Sequence, residues 1–261
     1  VLTETASRRA FEVLWGADQS GHTVPAIPEE VRPRTRADGY AVQAHFESVT
    51  DGLAGWKIAA TSEAGQRHIG TSGPLAGRVL GERVIAPSEA ISLAGNFMHL
   101  VELEFAFRLG ADLTPRPTDY SQQEVLEATT ELLLAWEVPS TRYDAVASVG
   151  EAQLIADNAC GFHLTYSTAA EQAWKDADLA SQVVRASSSS GRVHDGIGSR
   201  CLGDPKAALT WLVNEVSGLG ITLQAGQLVT TGTCIDPMPV APGDTVTGDW
   251  GRFGTLQVTF C

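Results

Sequence analysis

Residues 100–107, Leu-Val-Glu-Leu-Glu-Phe-Ala-Phe, alternate in a way that only an extended strand can use. Strand side chains have a period of two, so Val101, Leu103 and Phe105 share one face and Glu102 and Glu104 the other. The apolar face demands a core. The acidic face sets two carboxylates side by side, which is harmless in water. In a cleft it calls for compensation, and a divalent cation supplies it. A half-exposed sheet face is the simpler reading of the pair alone.

The rest of the chain supports a β-rich body behind a helical start. Residues 3–17 have the spacing of a helix. Residues 23–34 hold three prolines and two glutamates and read as a connector. Residues 36–50 return to helical spacing, with Tyr40, Val42, Phe46 and Val49 on one side. Residues 55–60 form a short apolar strand carrying one lysine, Lys57. Thr61-Ser62 then caps a short helix to Ile69, and residues 70–77 read as a loop. From Arg78 onward, short apolar runs at 79–85, 100–109, 133–138, 161–166, 179–187, 227–231, 244–248 and 255–260 are separated by Gly, Pro, Asn and Asp. Two helices interrupt them. Ser121 and Glu124 form a capping-box pattern for a helix over 121–134, and Asp204-Pro205 opens one running to about Gly218. The expected class is α+β, a rolled or barrel-like mixed sheet, with an N-terminal helical segment over 1–54 and a β-rich catalytic body over 55–261.

Composition excludes more than it selects. The chain has 261 residues and a formal charge of -13, from 31 acidic and 18 basic residues. That argues against a nucleic-acid partner, which needs a basic footprint. No apolar run is long enough to span a bilayer, so no membrane partner and a cytoplasmic location are expected. Cys160, Cys201, Cys234 and Cys261 lie far apart and suggest neither a zinc site nor a disulfide framework. The six histidines never pair at ligand spacing, and the common hydrolase and nucleotide signatures are absent.

Three features carry chemistry. They are Glu102-x-Glu104, Glu137 at the end of an apolar run, and Lys57 inside an apolar strand. A terminal glutamate is ordinarily exposed, and a strand lysine can snorkel to the surface. Taken together, carboxylate oxygens suit Mg²⁺ or Mn²⁺ rather than zinc. Such an ion chelates a 2-oxo carboxylate and stabilises its enolate, while a neighbouring lysine moves the proton.

The motifs holding these residues resemble those of the 2-oxopent-4-enoate hydratase and 4-oxalocrotonate decarboxylase group of the fumarylacetoacetate hydrolase superfamily. Gly55-Trp56-Lys57-Ile58-Ala59-Ala60-Thr61-Ser62 is similar to the group's G-x-K-x-G-x-T-S, with Ala59 at its second glycine. Val101-Glu102-Leu103-Glu104, Trp136-Glu137-Val138 with Ser140-x-Arg142, and Ala156-Asp157-Asn158-Ala159 follow in order. Cys201-Leu202-Gly203-Asp204-Pro205, Thr231-Gly232 and Ala241-Pro242-Gly243-Asp244 complete the series. The resemblance runs from about Gly39 to the C-terminus.

It implies a mixed β-roll, Mg²⁺ or Mn²⁺ held by Glu102, Glu104 and Glu137, and Lys57 as the catalytic residue beside the substrate. Asn158, Gly232 and Thr233 would form the substrate wall, in a homo-oligomer acting on a small 2-oxo or 2-hydroxy carboxylic acid. The implied reaction is water addition to a 2-hydroxy-dienoate to give a 4-hydroxy-2-oxo acid. Leu75 stands where hydratases of the group usually carry aspartate, so decarboxylation of a 4-oxalocrotonate-like acid stays open, with Arg78 or Arg142 as receivers of a second carboxylate. A hydrolase of an acylpyruvate would call on Glu63 and His68, whose spacing puts them on no single helical face. An oligomeric binding protein with a vestigial site is the non-enzymatic alternative.

Overall fold

A computed structural model describes residues 2–171 and 173–261. Helix α1 (Glu4–Ser20) is capped by the Thr3 hydroxyl and ended by Gly21 in the left-handed conformation. Helix α2 (Arg36–Gln43) starts with a complete capping box between Thr35 and Asp38, then tightens into a 3₁₀ turn over Ala44–Ser48. The two pack through Phe11, Leu14, Val42 and Phe46 into an apolar cluster that also takes in Leu80, Tyr143 and, from helix α5 (Glu151–Ala156), Ala156.

Among the described residues, one sheet has seven strands. Its members are β1 (Leu53–Ala59), β2 (Leu75–Leu80), β3 (Leu100–Leu109), β4 (Thr129–Val138), β5 (His163–Thr168), β8 (Leu228–Thr233) and the two-residue β9 (Met238–Pro239). The order is β2-β1-β8-β3-β4-β5, with β9 beside the start of β3. Only the β1–β8 pairing is parallel. A second, antiparallel sheet runs β11 (Thr255–Thr259), β10 (Thr245–Asp249), β6 (Val183–Ser188), β7 (Val193–Ile197). Val101, Leu103 and Phe105 are fully buried in the main core. The two sheets lock where Trp136 donates to the Leu256 carbonyl at 3.0 Å and Trp250 to the Glu104 carbonyl at 3.1 Å. Helix α6 (Pro205–Gly218), with Asp204 as cap and Pro205 in its first turn, covers the sheet through Leu209, Leu212 and Val213.

The strand-rich body, the leading helices and the α6 signals agree with the sequence reading. Several boundaries do not. The helix expected over 121–134 is only α4 (Gln122–Glu127), and the chain becomes β4 at Thr129. Thr129 and Thr130 are β-branched, and eight residue pairs with β3 outweigh the local helical pattern. The loop expected over 70–77 and the strand over 79–85 are displaced in the same way. Strand β2 begins at Leu75 because it pairs with β1 from Ala59 back to Leu53. Residues 189–192, Ser-Ser-Gly-Arg, join strands β6 and β7.

Candidate active site

The main sheet builds the site from its own register. Glu102 and Glu104 share the inner face of β3, and β4 sets Glu137 directly opposite Glu102. Like charges facing across a strand pair repel. Lys57 lies on β1, separated from β4 by β8 and β3. A flat sheet would hold those strands roughly 14 Å apart. Here Lys57 Nζ is 3.5 Å from Glu137 Oε1, with both side chains 3% exposed, so the sheet curls around the cluster.

One carboxylate oxygen from each of Glu102, Glu104 and Glu137 lies within 4.8 Å of the others. Glu104 Oε2 accepts the Gly232 N–H at 2.8 Å, while Glu104 Oε1 and Glu137 Oε2 are buried without a partner. A buried acceptor left unpaired costs about 1–3 kcal/mol, more when charged. Burial, reinforced by Glu102, pushes the Glu104 carboxyl up to about 8. Burial also drives Glu137 well above the usual carboxylate range, against the pull of Lys57, and raises Glu102. Burial on its own would lower Lys57. Attraction to Glu137, Glu102 and Glu104 outweighs it, so the ammonium is held above its ordinary range. Lys57 also donates to the Ala159 carbonyl at 3.0 Å. One cation against three carboxylates is incomplete neutralisation, and the orphaned oxygens are ones a divalent cation with oxygen ligands would satisfy.

Gly232 has a φ of +91°, and a Cβ there would stand 2.3 Å from Thr61 Oγ1, so glycine alone lets its N–H reach Glu104. Thr233 follows on the cavity wall, its hydroxyl donating to the Ile235 carbonyl at 3.0 Å. Asn158 departs from the expected role. Its side chain is clamped to β2, accepting the Arg78 N–H at 2.6 Å and donating to the Arg78 carbonyl at 2.8 Å. The cavity wall is formed instead by Ala159 and Cys160. Asn158, Ala159 and Cys160 all have positive φ (54°, 49° and 62°), a left-handed turn that aims the Ala159 carbonyl at Lys57. Such strain collects at functional sites.

The cavity above the cluster has a volume of about 750 Å³. Arg78 and Arg142 do not reach it. Arg78 is held by Glu47 and Gln43, and Arg142 by Asp18 and Asp157. His68 lines the cavity, whereas Glu63, at the exposed start of helix α3 (Glu63–Ile69), bonds Arg67 at 3.3 Å. They form no pair. Leu75 shares a sheet face with Lys57 and Ala59 but is buried in the main core behind the wall. Arg200, Met98 and Ile235 do line the cavity, and no motif or spacing in the sequence marked them.

Comparisons with known proteins agree on the frame. Residues 37–261 match the model of the fumarylacetoacetate (FAA) hydrolase C-terminal family. A 2-keto-4-pentenoate hydratase of Paraburkholderia xenovorans (strain LB400) is 29% identical over 265 residues, covering 99% of this chain and 96% of that protein. A 2-hydroxyhexa-2,4-dienoate hydratase of Comamonas testosteroni is 26% identical over 264 residues, covering 98% and 97%. The fold matches that of 4-oxalocrotonate decarboxylase from Pseudomonas putida G7, complexed with magnesium and adipate, with a TM-score of 0.89 at 22% identity and coverage of 100% and 99%. No helix of the described residues is long and apolar enough to cross a membrane. A matching family model over most of the chain, and a curled sheet carrying that motif series in order, lead to one conclusion: this chain belongs to the fumarylacetoacetate hydrolase family.

Proposed function

We propose that this chain is a divalent-metal-dependent hydro-lyase that adds water to a 2-hydroxy-dienoate, giving a 4-hydroxy-2-oxo acid. The observation that carries the proposal is the pair of orphaned buried oxygens, Glu104 Oε1 and Glu137 Oε2, beside a buried lysine at the floor of a cavity. Glu102, Glu104 and Glu137 would hold Mg²⁺ or Mn²⁺. When bound, the ion supplies Lewis-acid stabilisation of the substrate's enolate and neutralises its carboxylate. Lys57 holds and moves the proton on the reacting carbon. Its donor bond to the Ala159 carbonyl fixes the ammonium in place, and its burial keeps bulk water from competing. Relatives named as hydratases along nearly their whole length support this reaction over hydrolysis.

Every cavity-lining residue lies between Lys57 and Pro237, which supports assigning catalysis to 55–261 and a supporting role to the helices of 1–54. A homo-oligomer belongs to the same proposal. Strand β7 is a sheet edge carrying exposed Val193, and exposed Val183 lies on neighbouring β6 opposite Ile197, at the other end of the hairpin.

The test is turnover of 2-hydroxypenta-2,4-dienoate with added Mg²⁺, followed by ultraviolet loss, beside 4-oxalocrotonate followed by CO₂ release. Water addition to the first and no CO₂ from the second is the expected result. CO₂ release alone would refute hydration. Lys57→Met should abolish turnover while Mg²⁺ affinity stays or tightens, because a competing cation has been removed. Parallel loss of both would make the lysine a structural prop.

A further inference from the structure

Along the inner face of β3 the side chains run Glu104, Glu102, Leu100. Glu104 is fully buried, whereas Glu102 and Leu100 are half-buried, so the face leads from the floor of the cavity towards its mouth. Each step of two residues advances about 7 Å. Beyond the carboxylates the wall therefore turns from charged to apolar at Leu100. Met98, Ile69, Val146 and Ile235 continue it. None of the seven residues of α3 is buried, although Ala64 and Ile69 give it an apolar side on the cavity.

Apart from Lys57 on the floor, the lining holds one lysine or arginine, Arg200, and one imidazole, His68. Arg200 is engaged by Asp236 at 2.6 Å, and Asp236 also lines the cavity. A carboxylate at the far end of a substrate would meet an apolar wall and an arginine already paired with an anion. Removing a carboxylate from water under those conditions is unfavourable, whereas a hydrocarbon group gains from the same wall. The volume points the same way. Cavities of 300–1,000 Å³ enclose ligands of drug size. A five-carbon acid would leave most of about 750 Å³ unfilled.

We propose that the substrate carries a bulky uncharged hydrocarbon group, alkyl or aryl, at the end remote from its 2-oxo acid head, seated against Leu100, Ile69, Met98, Val146 and Ile235. This rests on the reading of the floor as a 2-oxo acid site. The tail preference is a property of the wall and is measurable without turnover.

The experiment has two readouts. Calorimetry with Mg²⁺ present compares the non-reacting acids 2-oxopentanoate, 2-oxo-6-phenylhexanoate and 2-oxoadipate. Steady-state kinetics compares 2-hydroxypenta-2,4-dienoate, 2-hydroxyhexa-2,4-dienoate, its 6-phenyl derivative and 4-oxalocrotonate. Affinity and kcat/KM should rise about fourfold per buried methylene. The phenyl compound should exceed the unsubstituted acid by more than tenfold, and the dicarboxylates should fall below it. Leu100→Ala should shrink the phenyl advantage, and Asp236→Ala, by freeing Arg200, should improve binding of 2-oxoadipate. Tightest binding by 2-oxoadipate, or no dependence on the tail, overturns the proposal. The phenyl order in affinity with no turnover of any dienoate would refute the hydro-lyase reading and leave the tail site standing.

Discussion

Replacing Glu104 by glutamine in the metal-free protein separates a cation seat from a structural carboxylate. Burial, with Glu102 next, holds this carboxyl at about 8, against an ordinary value of 4.5. A group whose folded pKa is raised contributes stability that is fully present below the unfolded pKa and is lost as pH rises through the folded one. For Glu104 the window runs from about 4.5 to about 8. Each pH unit inside it costs about 1.4 kcal/mol, so at pH 7 the loss is about 3 kcal/mol. Glutamine cannot ionise and escapes that loss. Its carbonyl still accepts the Gly232 N–H, and its amide points a donor at the neighbouring carboxylates. Allowing about 1 kcal/mol for imperfect pairing, the variant should be about 2 kcal/mol more stable than the parent near neutral pH.

Urea unfolding in a chelating buffer at pH 5, 6, 7 and 8 measures this. The two proteins should nearly coincide at pH 5, and the gap should widen at each step. Added Mg²⁺ should then stabilise the parent by mass action and leave the variant unchanged. A variant less stable than the parent throughout, or a gap that does not grow with pH, would refute the account of Glu104 as an uncompensated buried charge.

Three further outcomes follow from other parts of the structure. Because protons on the raised carboxyls compete with a cation, Mg²⁺ binding should release protons and tighten from pH 6 to 8; calorimetry in buffers of different ionisation enthalpy measures both. Gly232→Ala combines a left-handed backbone with a clash against Thr61, so it should cost at least about 2 kcal/mol in thermal or urea unfolding and reduce turnover sharply. His163 is held down to about 4 by burial and then by Arg83, so it favours the fold above about 6.5 and penalises it as pH falls towards 4. His163→Gln should therefore flatten the acid limb of the stability profile by about 2–3 kcal/mol, and an unchanged limb would exclude this imidazole as its source.

The sequence by itself determined the face assignments and the motif series. A period of two placed Glu102 and Glu104 together and buried Val101, Leu103 and Phe105, because alternation in a strand is a local geometric fact. Caps at Ser62, Ser121 and Asp204 were legible for the same reason: a hydroxyl or carboxylate bonding the next turn needs only its own segment. Tertiary structure decided what depended on distant partners. The segment after Glu127 became a strand because β3 lay beside it, and Leu75 joined β2 because β1 did. Asn158 looked like a wall residue by motif, yet its amide is bound on both sides by the Arg78 backbone, eighty positions away in the chain. The approach of Lys57 to Glu137 across two intervening strands depends on how the sheet curls, and the apolar wall is assembled from short, separate segments. Periodicity reports which way a side chain points within its own element. Which side chains meet, and what space they leave between them, is set by packing among elements far apart in sequence.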